Sequence, residues 1–569
     1  MPPLLQCHRV SHAAGTKSLF KSLDLTINTG DRIGLVGHNG SGKSTLLSIL
    51  NGSDVPDEGD ISRNNDLHLE TVEQFIDPAL NDFTMLEALS EKLPAEEQVS
   101  QQYRAEQLLN QLGFSEQEFG YRVKDLSGGQ QNRLMFARAL ILEPNLILFD
   151  EPTNHLDLKT LLMFEQYLKS LKAAFLLISH DRAFLDAVTD RTVFLRDERF
   201  YPFGMPYSKA RIALEEHDEA ARAAREQEEK DIRRLEASAK RLATWGKVYD
   251  NEDLSRKAKS MEKRIEKLKD EQTFVSRGSG LSLSIDVGSA KANRMLAIEQ
   301  RDILAPDDRV LFHIDDFIIK PGDRVALLGH NGAGKTTLIN RIMSAYEQNR
   351  DGDVIKFNPQ CDMGYYDQEM ERLDGSLGLM QTLRDQCGGP DHNLKGALIK
   401  AGFPYKDMDK KVEVLSGGER ARLMFLIIRM NQPNFLILDE PTNHIDIQGK
   451  EELEAQILET NATVLITSHD RRFVDNIAER YVLISNGKLQ EIHRPEIFYD
   501  MDSPTAIKTD TSRKEEKPSA VSGEEDILAR IVELEALLEA DLARKPKFQK
   551  PKRQESWRAE IEKLSGELS

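Results

Sequence analysis

RIGLVGHNGSGKSTLLSIL (Arg32–Leu50) decides the fold, because a short apolar run ends there in a glycine-rich turn that an apolar helical pattern follows. The turn places Gly37, Gly42, Lys43 and Ser44 in the spacing G-x-x-x-x-G-K-[ST], which is typical of a phosphate-binding loop. Glycines let backbone N–H groups curl around phosphate oxygens, and the N-terminus of the following helix attracts the same anion. The lysine adds a positive charge for the phosphates, and the serine hydroxyl is a ligand for Mg²⁺.

The composition describes a globular protein of several domains. The chain has 569 residues, 39% of them hydrophobic and 30% charged, and this length predicts roughly three or four domains. No run approaches the roughly eighteen apolar residues of a membrane span, and the N-terminus lacks the pattern of a signal peptide. We therefore expect a cytoplasmic protein with no membrane partner. Cys7, Cys361 and Cys387 lie far apart, without the spacing of a zinc site or a disulfide framework.

The opening stretch occurs a second time. RVALLGHNGAGKTTLI (Arg324–Ile339) places Lys335 292 residues after Lys43. Three later motifs recur, LSGGQ and LSGGE, LILFDEPTNHLD and LILDEPTNHID, and SHDR in both halves, and their residues Leu126, Asp150 and Ser179 each lie 289 residues before their counterparts. The first copies are Leu126–Gln130, Leu146–Asp157 and Ser179–Arg182, and the second copies are Leu415–Glu419, Leu436–Asp446 and Ser468–Arg471. This self-similarity indicates a tandem duplication of one nucleotide-binding domain.

Apolar runs flank the helical segments of each half, which predicts α/β domains with a largely parallel sheet. FLLISH (Phe175–His180) and TVLITSH (Thr463–His469) have the pattern of buried strands, as do the runs that end at Asp150 and Asp439. The carboxylates and histidines at these strand ends should lie at the carboxyl edge of the sheet, where open α/β sheets bind ligands.

These motifs, each present twice, resemble the ABC-F subfamily of ATP-binding cassette proteins. The resemblance implies an α/β fold class: two P-loop ATP-binding cassette domains joined by a helical hairpin linker, with a C-terminal coiled-coil hairpin. The implied boundaries are 1–205 for the first cassette, 206–289 for the linker, 290–500 for the second cassette, 501–523 for a flexible linker and 524–569 for the C-terminal hairpin. It also implies an ATPase with ATP and Mg²⁺ as its ligands.

The resemblance assigns nucleotide-binding residues in each half. The first phosphate loop comprises Gly37, His38, Asn39, Gly40, Ser41, Gly42, Lys43, Ser44 and Thr45. The second comprises Gly329, His330, Asn331, Gly332, Ala333, Gly334, Lys335, Thr336 and Thr337. The signature motifs contribute Ser127, Gly128 and Gly129 from the first half and Ser416, Gly417 and Gly418 from the second. In this family each signature binds the γ-phosphate held by the opposite cassette, so we expect a monomer whose two cassettes form an intramolecular dimer.

The resemblance also implies catalytic and metal-binding roles. Glu151 and Glu440 match the glutamate that polarises the attacking water, and His180 and His469 match the histidine that contacts the γ-phosphate. The implied Mg²⁺ ligands are Ser44, Gln74 and Asp150 in the first half and Thr336, Gln368 and Asp439 in the second, and the two glutamines also bind nucleotide. Site one combines these residues of the first cassette with the second signature. Site two combines those of the second cassette with the first signature. Both sites are predicted to hydrolyse ATP.

One departure from the family concerns the nucleotide base. Many cassettes place an aromatic residue about two dozen residues before the phosphate loop, where it stacks on adenine. Near that position the first half offers His12, and the corresponding segment of the second half, RDILAPDDR, has no aromatic residue. The preference for adenine is therefore implied by the family alone.

The segment from 210 to about 273 has the pattern of two long helices. Apolar residues recur at heptad spacing in each: Ile232, Leu235, Ala239 and Leu242, then Leu254, Ala258, Met261, Ile265 and Leu268. The helices are therefore predicted to pair as an antiparallel hairpin whose break lies within Trp245–Asp253.

The charge of this hairpin departs from that of the whole chain, whose net charge of −19 argues on average against nucleic acid. Five basic residues and one acid lie in each of 233–247 and 256–264. A solvated helix face and a surface for a phosphate backbone both fit this pattern. The ABC-F resemblance favours the second, because the linker of that family reaches towards the P-site tRNA and the peptidyl-transferase centre. Trp245 and Tyr249 either stack on bases or cap the hairpin.

After about residue 500 the sequence becomes polar, which predicts a flexible linker. Two apolar stripes follow, on either side of the basic segment Arg544–Arg553: Ile527, Ile531, Leu534 and Leu538, then Trp557, Ile561, Leu564 and Leu568. This pattern predicts a second helical hairpin with a basic turn. Binding to nucleic acid or the ribosome fits it, and so does a dimerisation or solubility tail.

Three classes of function fit the sequence. The leading prediction is an ATPase that binds the ribosome, through rRNA and tRNA, in its ATP-bound closed state, acts on translation through the interdomain linker and leaves after hydrolysis. The basic C-terminal turn favours the alternative of a DNA-binding ATPase. The engine of a membrane transporter is the third class, although the basic hairpin has no role there. Housekeeping translation control and antibiotic protection of the ribosome both fit the leading class.

Overall fold

A computed structural model describes most of the chain. The described residues are 3–15, 17–72, 76–94, 96, 98, 102–153, 156–248, 252–270, 294–305, 307–347, 355–367, 370, 372–443, 445–460, 462–501, 534, 538, 541–542, 554, 557–559 and 561. None of the helices among these residues is long and apolar enough to cross a membrane.

The first half of the chain alternates strands and helices. Its strands are β1 (Pro3–Ala14), β2 (Lys17–Asn28), β3 (Arg32–Gly37), β4 (Glu58–Arg63), β5 (Leu69–Val72), β6 (Leu146–Asp150), β7 (Ala174–Ile178), β8 (Arg191–Arg196) and β9 (Arg199–Phe203). Its helices are α1 (Lys43–Asn51), α2 (Met85–Ser90), α3 (Gln102–Gln111), α4 (Gly128–Leu140), α5 (Leu158–Ser170) and α6 (Arg182–Val188).

These strands form two sheets. One has the order β5-β6-β7-β3-β8-β9 and is parallel except for the pair β8-β9. The other is antiparallel, with the order β2-β1-β4. Strand β7 is buried along its whole length, because helices cover both faces of the parallel sheet. This burial explains why the central strands appear in the sequence as continuous apolar runs.

Two long helices follow the first cassette, α7 (Tyr207–Val248) and α8 (Glu252–Asp270). They pack against each other as the heptad pattern predicts, with Ile232, Ala239 and Ile265 buried between them. Lys269 Nζ lies 2.7 Å from Glu236 Oε1, so the end of α8 returns along the middle of α7.

The second half repeats the order of elements of the first, but its strands join into a single sheet. Its strands are β10 (Leu296–Leu304), β11 (Val310–Ile319), β12 (Arg324–Leu328), β13 (Ile355–Phe357), β14 (Met363–Tyr366), β15 (Phe435–Asp439), β16 (Thr463–Thr467), β17 (Arg480–Ser485) and β18 (Lys488–Ile492). Its helices are α9 (Lys335–Glu347), α10 (Leu379–Cys387), α11 (Asp391–Lys400), α12 (Gly417–Asn431), α13 (Ile447–Glu459), α14 (Arg471–Ile477) and α15 (Glu496–Met501). The strands form one sheet in the order β13-β10-β11-β18-β17-β12-β16-β15-β14.

Each cassette inserts an aliphatic side chain into the other. Leu158, the first residue of α5, is 3% exposed and packs with Leu328 and Val474 of the second cassette. Ile447, the first residue of α13, is 4% exposed and belongs to the core of the first cassette. Because these residues hold the same position in the duplicated halves, the cassettes face each other about an approximate two-fold axis.

Two ion pairs obey the same approximate symmetry. Arg182 Nη1 donates to Glu454 Oε2 at 3.2 Å, and Arg471 Nη2 donates to Glu165 Oε2 at 3.0 Å. Each pair joins the start of a short helix in one cassette to a helix of the other. The interface therefore has an apolar contact and a charged contact from each side, the Arg182–Glu454 pair being buried and the Arg471–Glu165 pair partly buried.

Most of the predicted C-terminal hairpin, including Arg544–Arg553, lies outside the described residues, as does 502–533. Within the described part, Leu534 is buried, and Gln554 Nε2 donates to Asp541 Oδ2 at 2.8 Å. The C-terminal hairpin stays a prediction.

Candidate nucleotide-binding sites between the cassettes

Both phosphate loops join a buried strand to a helix, as the sequence predicts. In the first, β3 ends at Gly37 and α1 begins at Lys43. Gly42 has φ of 96°, and a Cβ on Gly37 would lie 2.6 Å from the backbone oxygen of Leu195, so both positions require glycine. The loop thereby turns its backbone tightly enough to cradle an anion at the helix N-terminus.

The two loop lysines are held alike. Lys43 Nζ donates to Gly37 O at 2.8 Å and to His38 O at 3.2 Å. Lys335 Nζ donates to Gly329 O at 2.6 Å and to His330 O at 3.3 Å. Burial lowers the pKa of both lysines, because a buried ammonium loses hydration. Each loop thus carries a positive charge beside its glycines, buried at Lys43 and half-buried at Lys335.

The predicted metal-binding aspartates end central strands. Asp150 is the last residue of β6 and Asp439 the last of β15, and burial raises the pKa of both. The hydroxyls of Ser44 and Thr336 lie beside Asp150 and Asp439 and lower the pKa of these carboxyls, although the effect of burial is larger. Asp439 Oδ2 is buried and has no hydrogen-bond partner among the described residues. Carboxylate and hydroxyl oxygens are the donors that Mg²⁺ prefers, so the residues fit this ion.

The predicted catalytic glutamates come directly after these aspartates, and their backbone is strained. Glu151 and Glu440 have φ of 50° and 49°, in the left-handed region that only a few per cent of non-glycine residues adopt. Backbone bonds hold both: Glu151 N donates to Ile178 O at 3.0 Å, and Glu440 N donates to Thr467 O at 3.1 Å. Residues in such conformations cluster at functional sites.

Each predicted histidine stands next to its glutamate. His180 Nε2 lies 3.0 Å from Glu151 Oε1, and His469 Nε2 lies 3.5 Å from Glu440 Oε1. Burial would raise the pKa of Glu151, but the charges of His180 and Lys43 outweigh it and lower that pKa. The carboxylate of Glu151 is therefore kept ionised, the form that accepts a hydrogen bond from water.

A cavity of about 1100 Å³ between the cassettes brings most predicted site residues together. It is lined by both phosphate loops, the Asp-Glu pairs, both histidines and the second signature. Those residues are His38, Asn39, Gly40, Gly42, Lys43, Ser44, Thr45, Asp150, Glu151, His180, His330, Asn331, Gly332, Gly334, Lys335, Thr336, Thr337, Ser416, Gly417, Gly418, Asp439, Glu440 and His469. The cavity thus joins the first phosphate loop to the second signature, the combination predicted for site one.

The structure does not bring all predicted residues into this cavity. Gly37, Ser41, Gly329 and Ala333 belong to the loops but do not line it, and neither do Ser127, Gly128 and Gly129 of the first signature. Gln74 and Gln368 lie outside the described residues. Site two therefore lacks, in this cavity, the signature predicted for it.

Both signature serines cap helices. Ser127 accepts from Gln130 N at the start of α4, and Ser416 accepts from Glu419 N at the start of α12. In each case the side chain of the last residue of the motif, Gln130 or Glu419, accepts a hydrogen bond from the serine N–H, which completes a capping box. The first turn of α12, at the positive end of the helix dipole, consequently faces the shared cavity.

Three residues that sequence reasoning missed also contribute. Asp446 Oδ2 accepts from Asn39 N at 3.0 Å, which links the first phosphate loop to the opposite cassette. Lys17 lines the cavity and donates to Gly40 O at 3.3 Å. Lys450 also lines it and donates to His180 O at 2.9 Å. The repeated final Asp of EPTNH[LI]D was a signal for the first of these; the other two carried none.

His12, the residue considered for base stacking, does not line the cavity. Its Nδ1 lies 3.6 Å from Asp57 Oδ2 and its Nε2 lies 3.9 Å from Asp54 Oδ2. The side chain is thus engaged by two carboxylates.

Comparisons with known proteins match both halves of the chain. The family described as "ABC transporter" matches residues 20–154 and 312–443. "Ribosome protection protein VmlR" of Bacillus subtilis (strain 168) is 30% identical over 86% of this chain and 88% of its own length. "ABC transporter F family member 2" of Arabidopsis thaliana is 30% identical over 83% of this chain and 75% of its own.

Solved structures share the fold. The chain resembles one described as the complex of archaeal ribosomal stalk protein aP1 and archaeal ribosome recycling factor aABCE1, with a TM-score of 0.59 and 20% identity over 86% of this chain and 90% of the other. A structure of "RNase-L Inhibitor" aligns with a TM-score of 0.58 and 19% identity over 86% of this chain and 91% of the other. With two matching cassettes, relatives that align along most of their length and a tandem-cassette fold, the chain belongs to the ABC-F family of ATP-binding cassette proteins and is an ATPase.

Proposed function

We propose that the two cassettes close around ATP and that the closed form binds the ribosome and acts on translation through the hairpin α7–α8. The observation that carries the proposal is the shared cavity, in which the phosphate loop of one cassette faces the signature of the other. A γ-phosphate bound there would touch both cassettes, so ATP would hold them together and hydrolysis would release them.

In site one we assign the residues as follows. The backbone of 37–45 and Lys43 bind the phosphates, and the first turn of α12 meets the γ-phosphate from the other side. Glu151 orients the attacking water, and His180 keeps that carboxylate in place. Ser44 and Asp150 would hold Mg²⁺, which neutralises charge on the β- and γ-phosphates when bound. Site two uses the corresponding residues of the second half.

The base of the hairpin supports a link between closure and the position of α7. Tyr207 and Ala210 of its first turn are buried in the core of the first cassette. Tyr207 Oη donates to Glu451 Oε1 of the second cassette at 3.1 Å, and Arg211 Nη2 donates to Glu451 Oε2 at 3.0 Å. Helix α7 therefore contacts both cassettes, and its direction depends on how they face each other.

A second cross-cassette contact strengthens this base. Arg472 of α14 binds Asp186 and Ser208, and Ser208 N donates to Asp186 Oδ1 at 2.7 Å. The guanidinium thus joins the second cassette to α6 and α7 of the first. Opening of the cassettes would break these bonds, which makes the hairpin position sensitive to the nucleotide state.

The surface of the hairpin suits a polyanion. The side chains of Arg233 and Arg234 are 76% and 78% exposed. Further exposed basic residues are Lys240, Arg241, Arg256, Lys257, Lys259, Lys263 and Arg264. Such a basic surface on a chain of net charge −19 favours an RNA backbone as the partner. The name of the relative VmlR, a ribosome protection protein, supports the ribosome as the source of that RNA.

The proposal is tested by trapping the closed state. In E151Q/E440Q, ATP should bind without being hydrolysed, and the protein should sediment with purified ribosomes in ATP but not in ADP. Equal sedimentation with the two nucleotides would contradict the proposal.

The contribution of the hairpin needs a matched control. Adding R233Q/R234Q to the trapped variant should weaken ribosome binding and reduce its salt dependence. K400Q/K406Q removes the same charge from exposed positions of the second cassette and should leave binding unchanged. An equal effect of both pairs would show that net charge, and not the hairpin, governs binding.

DNA binding through the basic segment Arg544–Arg553 stays a separate prediction, since that segment lies outside the described residues. Deletion of 524–569 should abolish salt-dependent duplex binding if the segment binds DNA, while ribosome binding in ATP is retained.

A further inference from the structure

The two sites differ at one buried position where the duplicated halves carry different residues. Lys450 is the fourth residue of α13 and is 5% exposed. The fourth residue of α5, 289 residues earlier, is Leu161. A lysine has three N–H donors and a leucine side chain has none, so the halves make different contacts here.

Lys450 reaches from the second cassette into the histidine segment of the first. Its Nζ donates to His180 O at 2.9 Å and to Asp470 Oδ2, in its own cassette, at 2.9 Å. The ammonium and the Asp470 carboxylate are both buried, so their hydrogen bond is charge-assisted and shielded from water. The backbone of His180 is therefore held by a residue that reaches it only when the cassettes are in contact.

The catalytic glutamates are held differently in the two sites. Glu440 Oε2 accepts from the backbone N–H of His469 at 3.1 Å. Among the described residues, no backbone N–H donates to the carboxylate of Glu151, which has the His180 imidazole at 3.0 Å instead. The orientation of Glu151 consequently depends on where His180 stands.

We propose that Lys450 is a positioning residue for site one. By holding the carbonyl of His180 from the opposite cassette, it sets the imidazole against Glu151 and makes hydrolysis at this site depend on cassette contact. Leu161 cannot donate such a bond to His469. In site two the carboxylate of Glu440 is held instead by the backbone N–H of His469. The two sites are therefore not equivalent, although their sequence motifs are. The inference rests on the proposed roles of Glu151 and Glu440.

The test isolates each site in the full-length protein. E440Q leaves site one as the hydrolysing site and E151Q leaves site two, and single-turnover hydrolysis of radiolabelled ATP reports each. Adding K450L should slow site one at least about tenfold at saturating ATP and change site two by less than about twofold, since small misplacements of catalytic groups have large effects on rate. An equal loss at both sites would overturn the proposal.

Two further variants separate positioning from structure. K450R keeps a buried donor and should restore most of the site-one rate; failure to do so, with an unchanged thermal unfolding midpoint, would also overturn the proposal. E451Q weakens the same interface without touching His180, so it should affect both sites equally. If E151Q and E440Q each leave both sites active, the assignment of the glutamates is wrong, and the proposal falls with it before K450L is made.

Discussion

Truncating Leu158 should weaken the closing of the cassettes without unfolding either one. Its side chain is 3% exposed and packs among residues of the second cassette, including Leu328, Val474 and Phe498, although it belongs to α5 of the first. Most of the free energy lost in L158A should therefore come from docking between the cassettes. Fully buried leucines lose about 2–5 kcal/mol on truncation to alanine.

The expected shift in ATP dependence follows from this loss. A loss of about 2.7 kcal/mol lowers the closing equilibrium constant roughly 100-fold. If two ATP molecules bind on closing, the ratio of closed to open protein rises with the square of the ATP concentration. A roughly 100-fold loss in that ratio therefore raises the ATP concentration at half-closure about tenfold. Small-angle X-ray scattering of E151Q/E440Q, titrated with ATP, measures this midpoint with and without L158A.

Leu168 supplies the matched control. It lies on the same helix, is fully buried and belongs to the core of the first cassette. L168A should lower the thermal unfolding midpoint and leave the ATP midpoint of the scattering titration in place. An unchanged midpoint in L158A, or an equal shift in L168A, would refute the assignment of Leu158 to the docking interface.

Four further outcomes are expected. D470N keeps its helix-capping bond but removes the carboxylate partner of Lys450, so urea unfolding at neutral pH should show a loss of roughly 3 kcal/mol. D181N keeps the equivalent helix-capping bond. Burial and the charge of Asp470 raise the pKa of Asp181, which means that the ionised carboxylate is disfavoured in the folded protein. The free energy of unfolding of D181N should therefore be unchanged or higher. Burial would raise the pKa of Asp470, but Lys450 and Arg182 lower it to about 2. The ionised carboxylate therefore stabilises the folded protein above the unfolded pKa of about 4, and this stabilisation is lost as the pH falls through 2. Urea unfolding repeated at decreasing pH should thus show a shrinking difference in the free energy of unfolding between the unsubstituted protein and D470N. E451Q should speed hydrogen exchange in the first two turns of α7 while the rest of the helix is unchanged.

The phosphate loops were predictable because their geometry needs particular residues. Gly37 packs against a neighbouring strand, Gly42 has positive φ and Lys43 must follow directly to reach the loop carbonyls. Few other residues satisfy these requirements, so the sequence carries the structure locally. The linker was predictable for a similar reason, since heptad spacing directs Ile232 and Ile265 to one seam.

The contacts across the interface could not be predicted in the same way. Asp446 and Asn39 are 407 residues apart and Lys450 and His180 are 270 apart, so no local period relates them. The identity of the motifs in the two halves also predicts equivalent sites, whereas the cavity joins only the second signature, beginning at Ser416, to the opposite phosphate loop. Comparison of the halves position by position would have exposed the exchange of Leu161 for Lys450, because this exchange lies in the helices α5 and α13, outside the motifs.

The divergence of the two halves follows from the connection between them. Helix α7 leaves the first cassette at Tyr207, and within the described part of the chain its base is bound from the second cassette by α13 and α14. Where α13 and α14 carry Glu451 and Arg472, which bind that base, the corresponding residues of the first half are Leu162 and Ala183. Leu162 instead packs beside α15, which follows the last strand of the second cassette as α7 follows that of the first. The motifs of the two halves are therefore alike, whereas the helix faces that meet across the interface differ, and among the described residues it is the face of the second cassette that binds the base of the hairpin.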